Sequence, residues 1–153
     1  MRIRIEVDSQ IEEEEIIIRC KRVTNEITKI QQAISDVQAG EQNFMFFQGE
    51  KECYFSLDEI IFFESEGGHI NAHTREQVYQ VKYKLYELEE LLPSSFIRVA
   101  KSTILNTNHI HSITKNLTGA SEVEFTGTHK HIYVSRGYYK ALKEKLDDRR
   151  YIR

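Results

Sequence analysis

The hydrophobic pattern changes character near residue 43, and the first part of the chain predicts two strands and a helix. Residues 2–7 alternate apolar and charged side chains, which is typical of a one-sided strand, and Ile16–Ile18 predict a second, more buried one. A helix over about 23–38 is then indicated by apolar residues spaced four, three, four and three apart. These are Val23, Ile27, Ile30, Ile34 and Val37.

This N-terminal unit, residues 1–43, offers only a thin core. Two strands under one helix rarely form a stable domain alone. We therefore expect the unit either to pair with a second copy, making the protein a homodimer, or to dock on the rest of the same chain.

From Phe44 onward the pattern predicts short strands separated by turn signals. The strand-like runs are FMFFQ, ECYFS, IIFFES, HINAHT, VYQVKY, FIRVA, STILN, HIHSIT, SEVEFT and HKHIYVS. Two helices interrupt them: KLYELEELLP, which Pro93 stops, and residues 136–149, for which Ser135 is a credible N-cap. The fold class expected for 44–150 is mainly β with short helices, arranged as an antiparallel sandwich or barrel-like domain.

Charge is distributed unevenly along the chain. The net charge is −3, yet the segment from Phe96 to Arg153 carries eleven basic and five acidic residues. Four of the six histidines also lie in this last third. Such asymmetry can mark a surface that binds a polyanion. The same charge distribution would also arise if a basic C-terminal helix only balanced the acidic earlier part of the chain.

Motifs for enzymatic chemistry are missing from the sequence. No glycine-rich phosphate loop, GxSxG elbow, CxxC or HExxH is present. The pairs His109/His111 and His129/His131 have a spacing that could hold a metal, but no third ligand is evident, and alternating Glu64 and Glu66 are typical of a solvated strand face. We expect no enzyme, no metal, no cofactor and no small-molecule substrate.

The apolar runs and the cysteines of the sequence indicate where in the cell the protein is expected. No run approaches the roughly 20 residues of a membrane span, and the N-terminus has no signal-peptide pattern. Cys20 and Cys53 are expected to be reduced thiols. These features predict a cytoplasmic protein.

Three polar signals interrupt apolar patterns at the ends of predicted strands. They are His69 after Gly67-Gly68, the pair Lys101-Ser102, and the pair Ser135-Arg136. Arginine and lysine can bind base edges or phosphates, and a helix start offers free N–H groups near Ser135. Taken singly, each is also compatible with a turn histidine, an exposed lysine or a helix cap.

Several ordered segments resemble the LytTR family, the DNA-binding domains of LytR/AgrA-type bacterial transcription regulators. The segments are IIFFESEGGHINAHT, ELEELLPSSFIRVAKSTILNTNHIHSI and IYVSRGYYKALKEKL, and the resemblance extends over about residues 44–148. The resemblance implies an antiparallel β domain that inserts loops into the grooves of double-stranded DNA. It further implies base contacts from His69, Lys101 and Arg136, and phosphate contacts from Ser102 and Ser135.

Two residues depart from the family pattern. Ala100 stands where a histidine is usual, and Gly137 follows Arg136 where a larger residue is common. These differences affect the expected affinity and site sequence more than the expected function.

The input signal is not encoded in a recognisable receiver domain. About 43 residues precede the match, fewer than the 100 or more of a phospho-receiver, so we expect regulation by expression level, dimerisation or a partner. The resemblance suggests a small membrane protein as that partner. The alternative function is a β-rich ligand- or protein-binding module that does not bind DNA.

Overall fold

The computed structural model describes residues 1–40 and 44–150, which form three helices and ten strands. The expected boundary at residue 43 therefore lies outside the described residues. The helices are α1 (Asn25–Gly40), α2 (Leu85–Leu91) and α3 (Arg136–Arg150). The strands are β1 (Phe46–Gln48), β2 (Lys51–Cys53), β3 (Phe62–Glu66), β4 (His69–His73), β5 (Val78–Val81), β6 (Phe96–Ala100), β7 (Thr103–Asn106), β8 (Ile110–Thr114), β9 (Ser121–Phe125) and β10 (His131–Val134).

The strands form two antiparallel sheets. Seven strands pair in the order β2-β1-β5-β4-β3-β7-β6, and three pair in the order β10-β9-β8. The predicted fold class, mainly antiparallel β with short helices, is confirmed. Each of the ten strand-like sequence runs from Phe44 onward contains or overlaps one of these strands.

The seven-stranded sheet buries both of its faces, which explains the continuous apolar run at residues 60–63. Successive side chains on a strand point to opposite faces. Within β3, Phe63 accordingly joins a core that includes α2, whereas Phe62 joins a second core with the three-stranded sheet and α3. Ile60 and Ile61, which precede the strand, are likewise divided between the first and the second core. A one-sided sheet would show polar residues at alternate positions instead.

The two later helices each fill one of these cores. Leu85 and Leu88 of α2 are buried in the first core, and Leu142 of α3 is buried in the second. Among the described residues no helix is long and apolar enough to cross a membrane.

The N-terminal residues differ from the expectation. Residues 1–24 contain no strand, and their structure is limited to a turn in which the N–H of Ile11 donates to the carbonyl of Asp8 at 3.3 Å. Ile3, Ile5 and Val7 are at least 85% exposed. The two predicted strands are not formed because a strand needs a hydrogen-bonded neighbour. Two short segments that pair only with each other gain too little free energy to form a stable sheet.

Helix α1, which was predicted, docks on the β domain through Asp36. Its Oδ1 accepts a hydrogen bond from the N–H of Ser94 at 2.8 Å, and its Oδ2 accepts one from the Ser94 hydroxyl. Ser94 precedes β6, at the end of that strand remote from Lys101. In the single chain, α1 therefore contacts the β domain on the side away from the β6–β7 turn.

Candidate nucleic-acid interface

Two tight turns lie side by side at one end of the seven-stranded sheet. Gly67 and Gly68, both with positive φ, connect β3 to β4, and residues 101 and 102 connect β6 to β7. The N–H of Ser65, near the end of β3, donates to the carbonyl of Ser102 at 2.8 Å, which ties the β6–β7 turn to the strand that leads into the glycine turn. His69 and Lys101, both exposed, line the same surface concavity as a result.

A bulge in β6 attaches the start of α3 to this same end. Arg98 is paired with Ile104 and Ala100 with Thr103, so Val99 is an extra residue without a partner in β7. The Val99 carbonyl accepts a hydrogen bond from the N–H of Ser135 at 2.8 Å. This bond fixes the β10–α3 junction two residues away from Lys101.

The three predicted positions thus lie in a row along one edge. The row starts at β4, crosses β3, β7 and β6, and ends at Ser135. Each of these segments is joined to the next by backbone hydrogen bonds. At about 4.8 Å per neighbour, the row from His69 to Arg136 is roughly 20 Å long. Arg136 and Ser102 are exposed, and Ser135 is half-buried.

The start of α3 presents free donors at the end of this row. Ser135 immediately precedes the helix, and its carbonyl accepts from the N–H of Tyr138 at 2.9 Å. The first N–H groups of a helix have no partner within the helix and favour anions. Gly137 and Ala100, the two departures from the family pattern, lie beside Arg136 and Lys101 and add no polar side chain there.

Residues 50–147 match the family model described as the LytTr DNA-binding domain. The chain belongs to the LytTR family. It is a DNA-binding transcription regulator, and the family is non-enzymatic.

Individual relatives agree with this assignment. An uncharacterised HTH-type transcriptional regulator of Staphylococcus aureus strain MW2 is 27% identical over 95% of this chain and 98% of its own length. Another, from the bovine strain RF122, is 28% identical over the same shares. The LytTr DNA-binding domain of a putative methyl-accepting/DNA response regulator from Bacillus cereus has the same fold, with a TM-score of 0.64 and 24% identity, covering 70% of this chain and 98% of that one.

The relatives are named HTH-type regulators, after the helix-turn-helix, but the described part of this LytTR protein has a different arrangement. A helix-turn-helix joins two consecutive helices by a turn of about four residues. Here five strands separate α1 from α2, and five more separate α2 from α3. The exposed row of the LytTR domain is instead built from turns at strand ends.

Arg98, which the sequence reasoning overlooked, holds the Lys101 turn of the LytTR domain in place. Its Nε donates to the Ala100 carbonyl at 3.1 Å, and its guanidinium also donates to the Lys101 carbonyl. The same guanidinium pairs with the Glu89 carboxylate on α2. Arg98 is therefore a positioning residue, and a signal for it was available as an arginine in an otherwise apolar strand.

Two further lysines extend the basic surface beyond His69. Lys82 and Lys84 follow β5, whose Val81 pairs with Ile70, and both line the concavity shared by His69 and Lys101. The ammonium of Lys82 lies 4.6 Å from the ring centroid of Phe47, which holds it against the sheet. A signal was available in the sequence, because the predicted run VYQVKY contains Lys82 and is followed directly by Lys84.

The histidine pairs do not assemble a metal site. Within residues 1–40 and 44–150, no group of three or more histidine, cysteine or acidic side chains could hold an ion. His109 is occupied structurally, since its Nε2 makes a hydrogen bond with the Asp58 carbonyl. The distances thus give no support to the metal-dependent alternative.

Proposed function

We propose that this regulator binds duplex DNA sequence-specifically by placing the exposed row from His69 to Arg136 against the grooves. The observation that supports the proposal is the pair of backbone hydrogen bonds, from Ser65 to Ser102 and from Ser135 to Val99, that aligns three separate turns at one end of a rigid sheet.

The chemistry of each side chain suits a role in DNA recognition. Arg136 can donate two parallel hydrogen bonds to O6 and N7 of guanine, and Lys101 can reach the same acceptors. His69 can donate to a base acceptor from the tip of the glycine turn. Ser102 and Ser135, beside these residues, are proposed to bind phosphates, and the free N–H groups at the start of α3 add to the Ser135 contact.

The length of the row fits the spacing of DNA grooves. Neighbouring major and minor grooves follow one another by half a helical turn, about 17 Å along the axis. A row of roughly 20 Å can therefore place its two ends in adjacent grooves while the middle crosses a phosphate backbone. This geometry favours loop insertion over recognition by a single helix.

The test is selection of bound sequences from a random duplex pool, followed by comparison of Arg136→Ala with Arg75→Ala. Arg75 is exposed and lies after β4, at the opposite end of the sheet from His69. We expect Arg136→Ala to weaken the free energy of binding to the selected site by about 1–3 kcal/mol and to relax the preference at one base position. Arg75→Ala should bind the selected site with nearly wild-type affinity. Equal losses on selected and random DNA would contradict a base-reading role.

Salt dependence distinguishes this function from a β-rich module that binds a ligand or protein only. Affinity for DNA should fall steeply between about 50 and 200 mM salt, because bound phosphates release counterions. A purified protein that enriches no sequence and shows no such dependence would favour the alternative module.

We also propose that the protein is a homodimer assembled through residues 1–40. The support is twofold: the exposed apolar side chains of residues 1–24 lack a partner in the single chain, and α1 contacts the domain away from the row. Deleting residues 1–40 should leave a soluble monomer with weaker DNA binding, measured by sedimentation and DNA titration. A dimer that survives the deletion would refute this assignment.

The regulatory partner and the compartment remain proposals. Binding to bacterial DNA places the working protein in the cytoplasm. A small membrane protein as regulator rests on the family resemblance alone, and co-purification with such a protein from membranes would test it.

A further inference from the structure

A loop that the row does not include lies at the same end of the molecule. It connects β8 to β9 and comprises residues 115–120, which we call the β8–β9 loop. Thr114 pairs with Glu122, and Ser121 pairs with Val134, the residue before Ser135. The β8–β9 loop therefore opens beside the junction that carries Arg136, one strand spacing further along.

Two side chains of this loop are presented in an unusual way. Leu117 is 79% exposed, although it is an apolar residue at a loop tip with no hydrophobic neighbour to cover it. Lys115 lies with its ammonium 5.1 Å from the ring centroid of Tyr139, one turn into α3 from Arg136. The aromatic ring holds the positive charge close to the proposed interface.

The loop is also internally braced. The N–H of Asn116 donates to the Ser121 hydroxyl at 3.1 Å, and the Asn116 side-chain oxygen accepts from the N–H of Thr118 at 3.1 Å. A Cβ on Gly119 would approach the Asn116 amide nitrogen to 3.2 Å, so the loop closes tightly there. Leu117 is thus held outward on a short, ordered arm.

We infer that the β8–β9 loop is an additional DNA-contacting arm, in which Lys115 binds a backbone phosphate and Leu117 enters the minor groove beyond it. The inference rests on the proposed function of the row. If Arg136 lies in a major groove about 12 Å wide, the flanking phosphates are about 6 Å from its centre, slightly more than one strand step of about 4.8 Å. An apolar side chain beyond that phosphate meets sugars and the minor groove, where leucine can act as a wedge.

The first experiment attaches a DNA-cleaving iron chelate to a single cysteine at position 117. The background carries Cys20→Ser and Cys53→Ala, since both native thiols are free. The matched control is His129→Cys, an exposed position on the β9–β10 connection at the opposite end of the same sheet. We expect cuts from position 117 in the minor groove at the edge of the protected site, and none from position 129.

The second experiment measures affinity and its salt slope for Lys115→Gln and Leu117→Ala. Lys115→Gln should weaken binding to selected and to random DNA alike, by about 3- to 10-fold. It should also reduce the slope of log affinity against log salt concentration by about one. Leu117→Ala should weaken binding without changing the slope, because it removes no charge.

The outcomes separate the loop from the row. If the unmodified protein protects the selected DNA but position 117 gives no cuts and both variants bind normally, the loop inference is overturned and the row stands. If the unmodified protein binds no DNA, both fail. Variants that bind DNA normally but lose transcription activation would assign Leu117 to a protein partner and also overturn the inference.

Discussion

Arg98 shows how one side chain can control a turn that it does not belong to. Its guanidinium binds two consecutive carbonyls, of Ala100 and Lys101, and an acidic residue of α2. Hydrogen bonds from a charged donor contribute more than neutral ones, about 1.5–3 kcal/mol each when buried and less where solvent competes. The orientation of Lys101 therefore depends on a residue three positions earlier.

We predict that Arg98→Ala lowers the free energy of unfolding by about 1–2 kcal/mol and weakens DNA binding several-fold, because the turn loses both carbonyl contacts. Glu89→Gln, which removes only the exposed ion pair, is the control and should change stability by less than about 1 kcal/mol. Urea unfolding and DNA titration measure the two effects. Equal effects of the two variants would show that the ion pair, not the turn contact, matters.

His73 provides a second prediction at the residue scale. Its ring stacks on Phe62, with centroids 4.2 Å apart, and its Nδ1 lies 3.3 Å from the Lys130 ammonium. Burial and then the Lys130 charge lower the pKa of His73 from 6.5 to about 4. The Glu64 carboxylate, 3.7 Å from Nε2, does not offset this, and burial and Glu66 raise the pKa of Glu64 itself.

The pH dependence follows from the sign of that shift. Between pH 6.5 and 4 the unfolded chain binds a proton at this histidine and the folded chain does not, so the folded state loses stability as pH falls through that window. We expect a loss on the order of 1–2 kcal/mol after solvent screening. His73→Leu should flatten this part of the stability profile in urea titrations. An unchanged slope would place the proton uptake at other groups.

Helix α1 is hydrogen-bonded to the β domain through Asp36, which binds both the N–H and the hydroxyl of Ser94. Burial alone would raise the pKa of Asp36, but hydrogen bonds from Ser94 and Gln32 and the charge of Lys145 hold it below its ordinary value of 3.8. The ionised carboxylate therefore favours docking, and this contribution is present above pH 3.8 and lost as pH falls below it.

Asp36→Asn should release α1 at neutral pH while leaving the β domain intact. The amide can no longer accept from both groups of Ser94 with full charge. We expect faster amide hydrogen exchange within residues 25–38 and a change of about 1 kcal/mol or less in the unfolding of the sheets. Gln32→Ala, which removes one exposed contact at 3.1 Å, is the control. Unchanged protection in the Asp36 variant would mean that apolar contacts alone hold the helix.

At the scale of elements, the hydrophobic pattern predicted correctly those strands whose formation follows from burial of their side chains. The apolar run at residues 60–63 could be recognised as a strand because both faces of its sheet are covered. The alternation at residues 2–7 predicted a strand equally well, yet no backbone partner is present in the single chain. Periodicity reports which side chains prefer burial, and it carries no information on whether a pairing partner exists.

For the whole molecule, family resemblance and pattern predicted the fold and the DNA-binding function, but not how the site is assembled. The bulge at Val99 leaves no mark in the alternation of FIRVA, and it is this bulge that links the α3 start to the β6–β7 turn. The contacts of His69, Lys101 and Arg136 with DNA stay predictions. Lys82, Lys84 and Arg98 were missed because, although each interrupts or follows an apolar run, the sequence does not show which strand ends lie together.

The hydrogen bonds that align the three turns come from main-chain atoms, and the proposed reading side chains at 69, 101 and 136 are all exposed. Replacing those side chains should therefore leave the melting temperature nearly unchanged. Substitutions at these three surface positions can therefore change the preferred DNA sequence while the fold is retained. Duplicated copies of the gene can acquire new DNA targets without needing additional substitutions that restore stability.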